Sequence, residues 1–81
     1  MKATVLVRPK EGILDPQGQA VEESLRKLGF PVAHARVGRI VDVELDTDDA
    51  AEARSQVERM STELLANPLI ESFTVEIEER P

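Results

Sequence analysis

Apolar and polar residues alternate in three stretches of the chain. Residues 2–8 and 73–78 each place an apolar side chain at every second position, and residues 32–46 repeat the pattern. A period of two puts alternate side chains on one face of a strand. The middle stretch contains Gly38-Arg39, which we interpret as a hairpin turn between two strands, although Gly-Arg is a weaker hairpin signal than Asn-Gly. Four strands are therefore predicted, followed by a polar tail at 79–81.

Residues 16–28 follow a helical pattern instead. Val21, Leu25 and Leu28 recur at a spacing that places them on one face of a helix. The side chain of Asp15 can accept hydrogen bonds from the first amides of this helix, and Pro16 suits the first helical position. The sequence thus predicts a helix that begins after Asp15 and stops at Gly29.

A second helix is predicted to begin near Asp46 or Thr47, and either side chain could cap it. Pro68 disfavours helical geometry at Asn67, so this helix should end there and lead into the last strand. Its predicted core stripe consists of Ala50, Ala53, Val57, Met60 and Leu64.

The predicted element order is βαββαβ in a single domain, residues 1–81. The simplest architecture for this order is an α+β two-layer sandwich of the ferredoxin-like kind, with a four-stranded antiparallel sheet and two helices on one face. The other face would carry Leu6 and Ile40 among polar side chains. We interpret it as a contact surface, because so small a domain has a marginal core and gains from association.

Charge and composition exclude several classes of function. The chain has 16 acidic and 10 basic residues and a net charge of −6, which argues against binding nucleic acid or an anionic membrane surface. It has no cysteine, which excludes disulfides and a cysteine nucleophile. No apolar run approaches the roughly 20 residues of a membrane span, so a cytoplasmic location is expected.

The sequence predicts no catalytic residue, no cofactor-binding residue and no metal site. His34 is the only histidine, and one histidine makes neither a catalytic triad nor a zinc site. The aspartates at 46, 48 and 49 are explained by helix capping and by the helix dipole. No glycine-rich phosphate-binding loop is present.

Candidate partner contacts come from the charged and polar residues expected at strand ends and in loops. Solvated charge, helix capping and helix termination explain the same residues without a partner. We nevertheless predict contacts by the segments 14–18 and 67–71. The individual candidates are Arg8, Lys10, Arg36, Arg39, Asp15, Gln17, Asn67 and Glu71.

In its motifs and their order, the chain resembles the PurS family, the small subunits of bacterial and archaeal phosphoribosylformylglycinamidine (FGAM) synthase. Two departures are mild: the family often has Lys at the position of Arg39 and Cys at that of Ser61. The resemblance spans nearly the whole chain. It rests on Val5-Leu6-Val7-Arg8-Pro9-Lys10, Leu14-Asp15-Pro16-Gln17-Gly18, Leu28-Gly29-Phe30, Val37-Gly38-Arg39, the Met60 to Glu71 block and Val75-Glu76-Ile77.

The resemblance implies a non-catalytic subunit of an ATP-dependent ligase in purine biosynthesis. Such a subunit joins a glutaminase subunit and a large synthetase subunit, in which ATP and magnesium are expected. The assembly converts formylglycinamide ribonucleotide (FGAR), glutamine and ATP to FGAM, glutamate, ADP and phosphate. The resemblance also implies a homodimer or homotetramer that bridges the two catalytic subunits and assists ammonia transfer. The alternative is a small-molecule-binding regulatory domain of the ACT-like kind, which shares the βαββαβ order.

Overall fold

The computed structural model describes residues 1–78, so the predicted tail Glu79-Arg80-Pro81 lies outside the described residues. Within residues 1–78, three strands and two helices form the fold, in the order β1, α1, β2, α2, β3. Their bounds are Lys2–Pro9 (β1), Pro16–Lys27 (α1), Arg39–Glu44 (β2), Ala50–Met60 (α2) and Glu71–Glu78 (β3), and a π-helical turn at Ser61–Leu65 extends α2.

The sheet is antiparallel and has the strand order β2-β1-β3. Val5 of β1 lies between Val41 of β2 and Val75 of β3. The inner face of β1 is fully buried, with Ala3, Val5 and Val7 at the centre of the core. This outcome follows from the alternating pattern, which placed these three residues on one face.

The sheet has three strands rather than the predicted four. Residues 32–37 are not part of a strand, and the chain bends at Ala33. Side chains from the region of α1 form hydrogen bonds with their backbone instead. Arg26 of α1 donates to the carbonyls of Val32 and Ala33, and the carboxylate of Asp15 accepts the Val37 N–H. The predicted hairpin is therefore wrong, and its first half lies against α1 instead of β2.

Gly38 does not form a turn, and the chain enters β2 directly after it. A Cβ atom at Gly38 would lie within 2.2 Å of the Val7 carbonyl oxygen. The glycine at this position is thus explained by the close approach of the backbone to β1.

Helix α1 has the predicted limits. Asp15 is its N-cap and Pro16 its first residue. At the other end, the Gly29 N–H donates to Arg26 and the Phe30 N–H to Leu25, with Gly29 at φ +95°, as in a Schellman cap. Its predicted core face is not covered, however: Val21 and Leu28 are exposed, and α1 makes no extensive contact with any strand of the described chain.

Helix α2 covers the inner face of β1 and β3. It begins at Ala50 and is capped by Asp49, a few residues later than predicted. Thr47 accepts a hydrogen bond from the Asp49 N–H instead. Ala53 and Val57 are buried as the stripe predicts, but Leu64 is 83% exposed, because the π-helical turn shifts the helical phase and brings Leu65 against the core.

Candidate partner-binding surface

The eight residues predicted as partner contacts lie at one end of the sheet, where β1 ends and β2 and β3 begin. We call this region the loop end and define it as residues 8–17, 36–39 and 66–71. Pairing of Val7 with both Arg39 and Phe73 brings these segments together. The antiparallel sheet thus gathers residues from three separate parts of the chain.

Lys10 connects the segments of the loop end. Its backbone N–H donates to the Ile70 carbonyl over 2.9 Å, and its Nζ donates to the Pro68 carbonyl over 2.8 Å. Arg36 Nη2 donates to the Lys10 carbonyl over 2.7 Å. Lys10 and Arg36 therefore use part of their hydrogen-bonding capacity inside the molecule.

Arg39 and Glu71 form a two-pronged ion pair. Arg39 Nη1 donates to Glu71 Oε2 over 2.6 Å and Nη2 to Oε1 over 2.9 Å, a geometry that the planar guanidinium favours. Nη2 also donates to the Leu65 carbonyl, and Glu71 Oε1 accepts the Asn67 N–H. The hydrogen bonds from Arg39 lower the pKa of Glu71, and the carboxylate raises the pKa of Arg39.

Asp15 ties the start of α1 to the segment before β2. Its Oδ1 accepts the Gly18 N–H over 3.0 Å, and its Oδ2 accepts the Val37 N–H over 2.9 Å. These two backbone hydrogen bonds, that from Val37 foremost, lower the pKa of Asp15. Helix capping explains only one of the two bonds, and the second was not foreseen from the sequence.

Arg8, Gln17 and Asn67 complete the candidate set. Arg8 and Gln17 are exposed, and each lines a shallow hollow at the loop end. Asn67 Oδ1 accepts the Leu69 N–H over 3.1 Å, which orders the turn that Pro68 begins. Asn67 therefore acts as a turn residue, as helix termination suggested.

The exposed apolar side chains of the loop end were not singled out as candidates. Leu14 is 70% exposed and Leu69 82% exposed, and Ile13 and Ile70 are partly exposed. The segments 14–18 and 67–71 contain three of these residues, but Ile13 was missed. The sequence feature that could have indicated them is an apolar pair in each loop, Ile13-Leu14 and Leu69-Ile70. Neither pair belongs to a helical or strand pattern that would predict its burial.

The single histidine and the potential metal ligands are the groups that were considered for chemistry in this chain. His34, the single histidine, has a side chain that is 89% exposed and lies 3.6 Å from Glu22, outside the loop end. Residues 1–78 contain no group of three potential metal ligands. No helix in that range is long and apolar enough to cross a membrane.

Residues 1–78 thus form a small α+β domain that exposes apolar side chains in loops ordered by polar contacts. Comparison with known proteins identifies its family. The family model of PurS, phosphoribosylformylglycinamidine (FGAM) synthase, matches residues 2–79. The chain belongs to the PurS family, which confirms the resemblance seen in the sequence.

Individual relatives agree with this assignment. The chain is 32% identical to the phosphoribosylformylglycinamidine synthase subunit PurS of Methanocaldococcus jannaschii, over 95% of this chain and 94% of the relative. The structure of Thermus thermophilus PurS is 42% identical, with a TM-score of 0.85 over 99% of this chain and 96% of that one. A chain in the structure of PurLQS from Thermotoga maritima is 30% identical, with a TM-score of 0.84 over 93% of each chain. These neighbours confirm the ferredoxin-like α+β class.

Proposed function

We propose that this chain is the non-catalytic small subunit of FGAM synthase, the ligase that converts FGAR, glutamine and ATP to FGAM, glutamate, ADP and phosphate. The observation that carries the proposal is the match, over 93% of both chains, to a subunit solved within PurLQS of Thermotoga maritima. The family match favours this function over the ACT-like regulatory alternative. A cytoplasmic location is part of the proposal.

The proposed role is to bridge a glutaminase subunit and a synthetase subunit and to assist ammonia transfer between them. ATP and magnesium then belong to the synthetase subunit. This role suits a chain without cysteine, because the glutaminase nucleophile must be supplied elsewhere. Holding two active sites in register is a positioning effect, which can contribute large factors in rate.

Self-association, as a dimer or tetramer, is the second part of the proposal. The radius of gyration of the Cα atoms is 16.0 Å, whereas a compact chain of this length is expected near roughly 12 Å. Val21 and Phe30 are exposed away from the loop end. An elongated monomer with scattered apolar side chains gains stability when a second copy covers them.

The loop end is the proposed contact region for the catalytic subunits. Its candidate residues remain Arg8, Lys10, Arg36, Arg39, Asp15, Gln17, Asn67 and Glu71. Support comes from their convergence at one end of the sheet, although several of them also hold the loops in place.

The test is reconstitution of synthase activity. The synthetase and glutaminase subunits from the same source are assayed with FGAR and ATP, with and without this chain, using either glutamine or ammonium as nitrogen donor. We expect glutamine-dependent activity only when this chain is present. Ammonium-dependent activity without it is the control, since it shows that the synthetase subunit is active. Equal glutamine-dependent activity in both mixtures would refute the proposed function.

A further inference from the structure

Two adjoining hollows open on the loop end. The first has a volume of about 310 Å³, and Ile13, Leu14, Pro16 and Ile70 supply its apolar lining. The second, of about 610 Å³, is lined by three arginines, Arg8, Arg36 and Arg39, beside apolar residues of β1 and β2. The two share Pro9, Gly38 and Arg39 as a common wall, and Asp15, Gln17 and Glu71 add polar groups to the lining of the first. A partly apolar hollow and an arginine-lined hollow therefore lie side by side.

The loops that form these hollows are held in place by hydrogen bonds already described. Lys10 fixes the 66–71 loop through two of its carbonyls, and Glu71 fixes Asn67. Asp15 fixes the start of α1. A binding surface that is ordered before the partner arrives loses less conformational entropy on binding. These polar residues therefore serve as supports, and the exposed apolar side chains are left free to make contact.

The charge of the loop end indicates what kind of partner fits. The loop end holds four basic residues, Arg8, Lys10, Arg36 and Arg39, and three acidic ones, Glu11, Asp15 and Glu71. The carboxylates of Asp15 and Glu71 are engaged with backbone amides and with Arg39, and no carboxylate of residues 1–78 lines the second hollow, where three of the four cations lie. Two copies that met through this hollow would bring their arginines together, which is unfavourable. An acidic partner surface is complementary to them.

We infer that the loop end binds another subunit of the synthase, through a segment that inserts an apolar side chain into the first hollow and places a carboxylate against the arginines of the second. This inference rests on the proposed function. Leu14, Ile70 and Arg8 make the contact. Lys10, Asp15, Asn67 and Glu71 are positioning residues, which act through the shape of the loops.

The test compares variants of equally exposed leucines. Leu14→Glu places a negative charge at the apolar hollow, and Leu28→Glu makes the same change at the far end of α1, where Leu28 is also largely exposed. Arg8→Glu tests the contribution of the positive charge. Leu14→Ala removes the apolar contact without introducing a charge. Affinity for the separate synthetase and glutaminase subunits is measured by calorimetry with FGAR, glutamine and Mg-ADP present, at two salt concentrations. Circular dichroism confirms folding, and light scattering gives the mass of each variant.

We expect Leu14→Glu to weaken binding to one of the two subunits at least tenfold, and Leu14→Ala to weaken it less. Arg8→Glu should weaken binding severalfold and reduce its dependence on salt, and Leu28→Glu should bind that subunit as the wild type does. Wild-type affinity of Leu14→Glu for both subunits would overturn the inference and leave the proposed function intact. If Leu14→Glu lowered the mass of the self-associated protein but left subunit binding unchanged, the hollow would bind a second copy of this chain. That result would also overturn the inference. Absence of wild-type binding to either subunit would refute the proposed function and the inference with it.

Discussion

Asp15 is the residue whose ionisation matters most to the local structure of α1. Its carboxylate accepts one N–H from the helix and one from the segment before β2, so protonation weakens two attachments at once. The pKa of Asp15 is lowered by these hydrogen bonds, and that of Glu71 is lowered by Arg39. A lowered pKa in the folded state stabilises the fold above the unfolded-state pKa, and the stabilisation is lost as the pH falls through the folded-state pKa.

We therefore expect the free energy of unfolding to decrease as the pH falls below the ordinary range of aspartate and glutamate. Urea titrations between pH 3 and pH 7 measure this dependence. Asp15→Asn should be less stable than the wild type at neutral pH and should show a shallower loss of stability in acid. Glu23→Gln, an exposed change on α1, serves as the matched control. A parallel shift of the Asp15→Asn curve, with the wild-type slope retained, would contradict the assignment.

Arg39 and Glu71 show what residue type alone can and cannot predict. Their charges and their positions at strand ends indicated exposed polar contacts. Their partnership depends on pairing of β1 with both β2 and β3, which places Arg39 and Glu71 on the same face of the sheet. Sequence spacing does not contain that information, because 32 residues separate the pair.

At the scale of elements, the π-helical turn decides which leucine of Leu64-Leu65 enters the core. A regular helix would direct Leu64 inward, as the stripe of α2 predicts. The wider turn at Ser61–Leu65 moves Leu65 against the core and leaves Leu64 exposed. Local apolar spacing cannot predict such a turn, since it assumes an unbroken helical period.

The adjacent leucines provide a matched pair for mutation. We expect Leu65→Ala to lower the free energy of unfolding by about 2 kcal/mol, because it leaves a cavity beside the core. Leu64→Ala should change it by less than about 0.5 kcal/mol, as for most exposed positions. Guanidinium denaturation of both variants checks the difference. The reverse order of the two effects would show that the helix continues without the π-helical turn.

The missing fourth strand has a different cause. Residues 32–37 alternate like a strand in the sequence, but the structure assigns no strand to them. The side chains of Arg26 and Asp15 form hydrogen bonds with backbone groups that would pair with β2 in a hairpin. The start and end of α1 were predicted correctly because capping depends on neighbouring residues, whereas strand pairing depends on distant ones.

At the scale of the whole molecule, the elongated shape bears on stability. The described chain measures 48 × 29 × 14 Å along its principal axes, and its buried hydrophobic residues are all small, either alanine or valine. We expect the melting temperature to rise by about 5 °C or more over a hundredfold increase in concentration, because association stabilises only the folded state. Calorimetry from micromolar to sub-millimolar protein measures this effect. A melting temperature that does not change with protein concentration, together with a monomeric mass, would exclude the proposed self-association.

The order of the strands also governs how fast the sheet can assemble. The central strand β1 pairs with partners far along the chain, Val5 with Val41 and with Val75. Two long loops must close before either pairing contributes stability, and such non-local topologies fold in milliseconds to seconds. The caps and the hydrogen bonds of helix α1 connect only nearby residues. In a newly made chain, α1 is therefore expected to form first and the sheet last. Until the sheet forms, the unpaired strand edges are exposed and can associate with other chains.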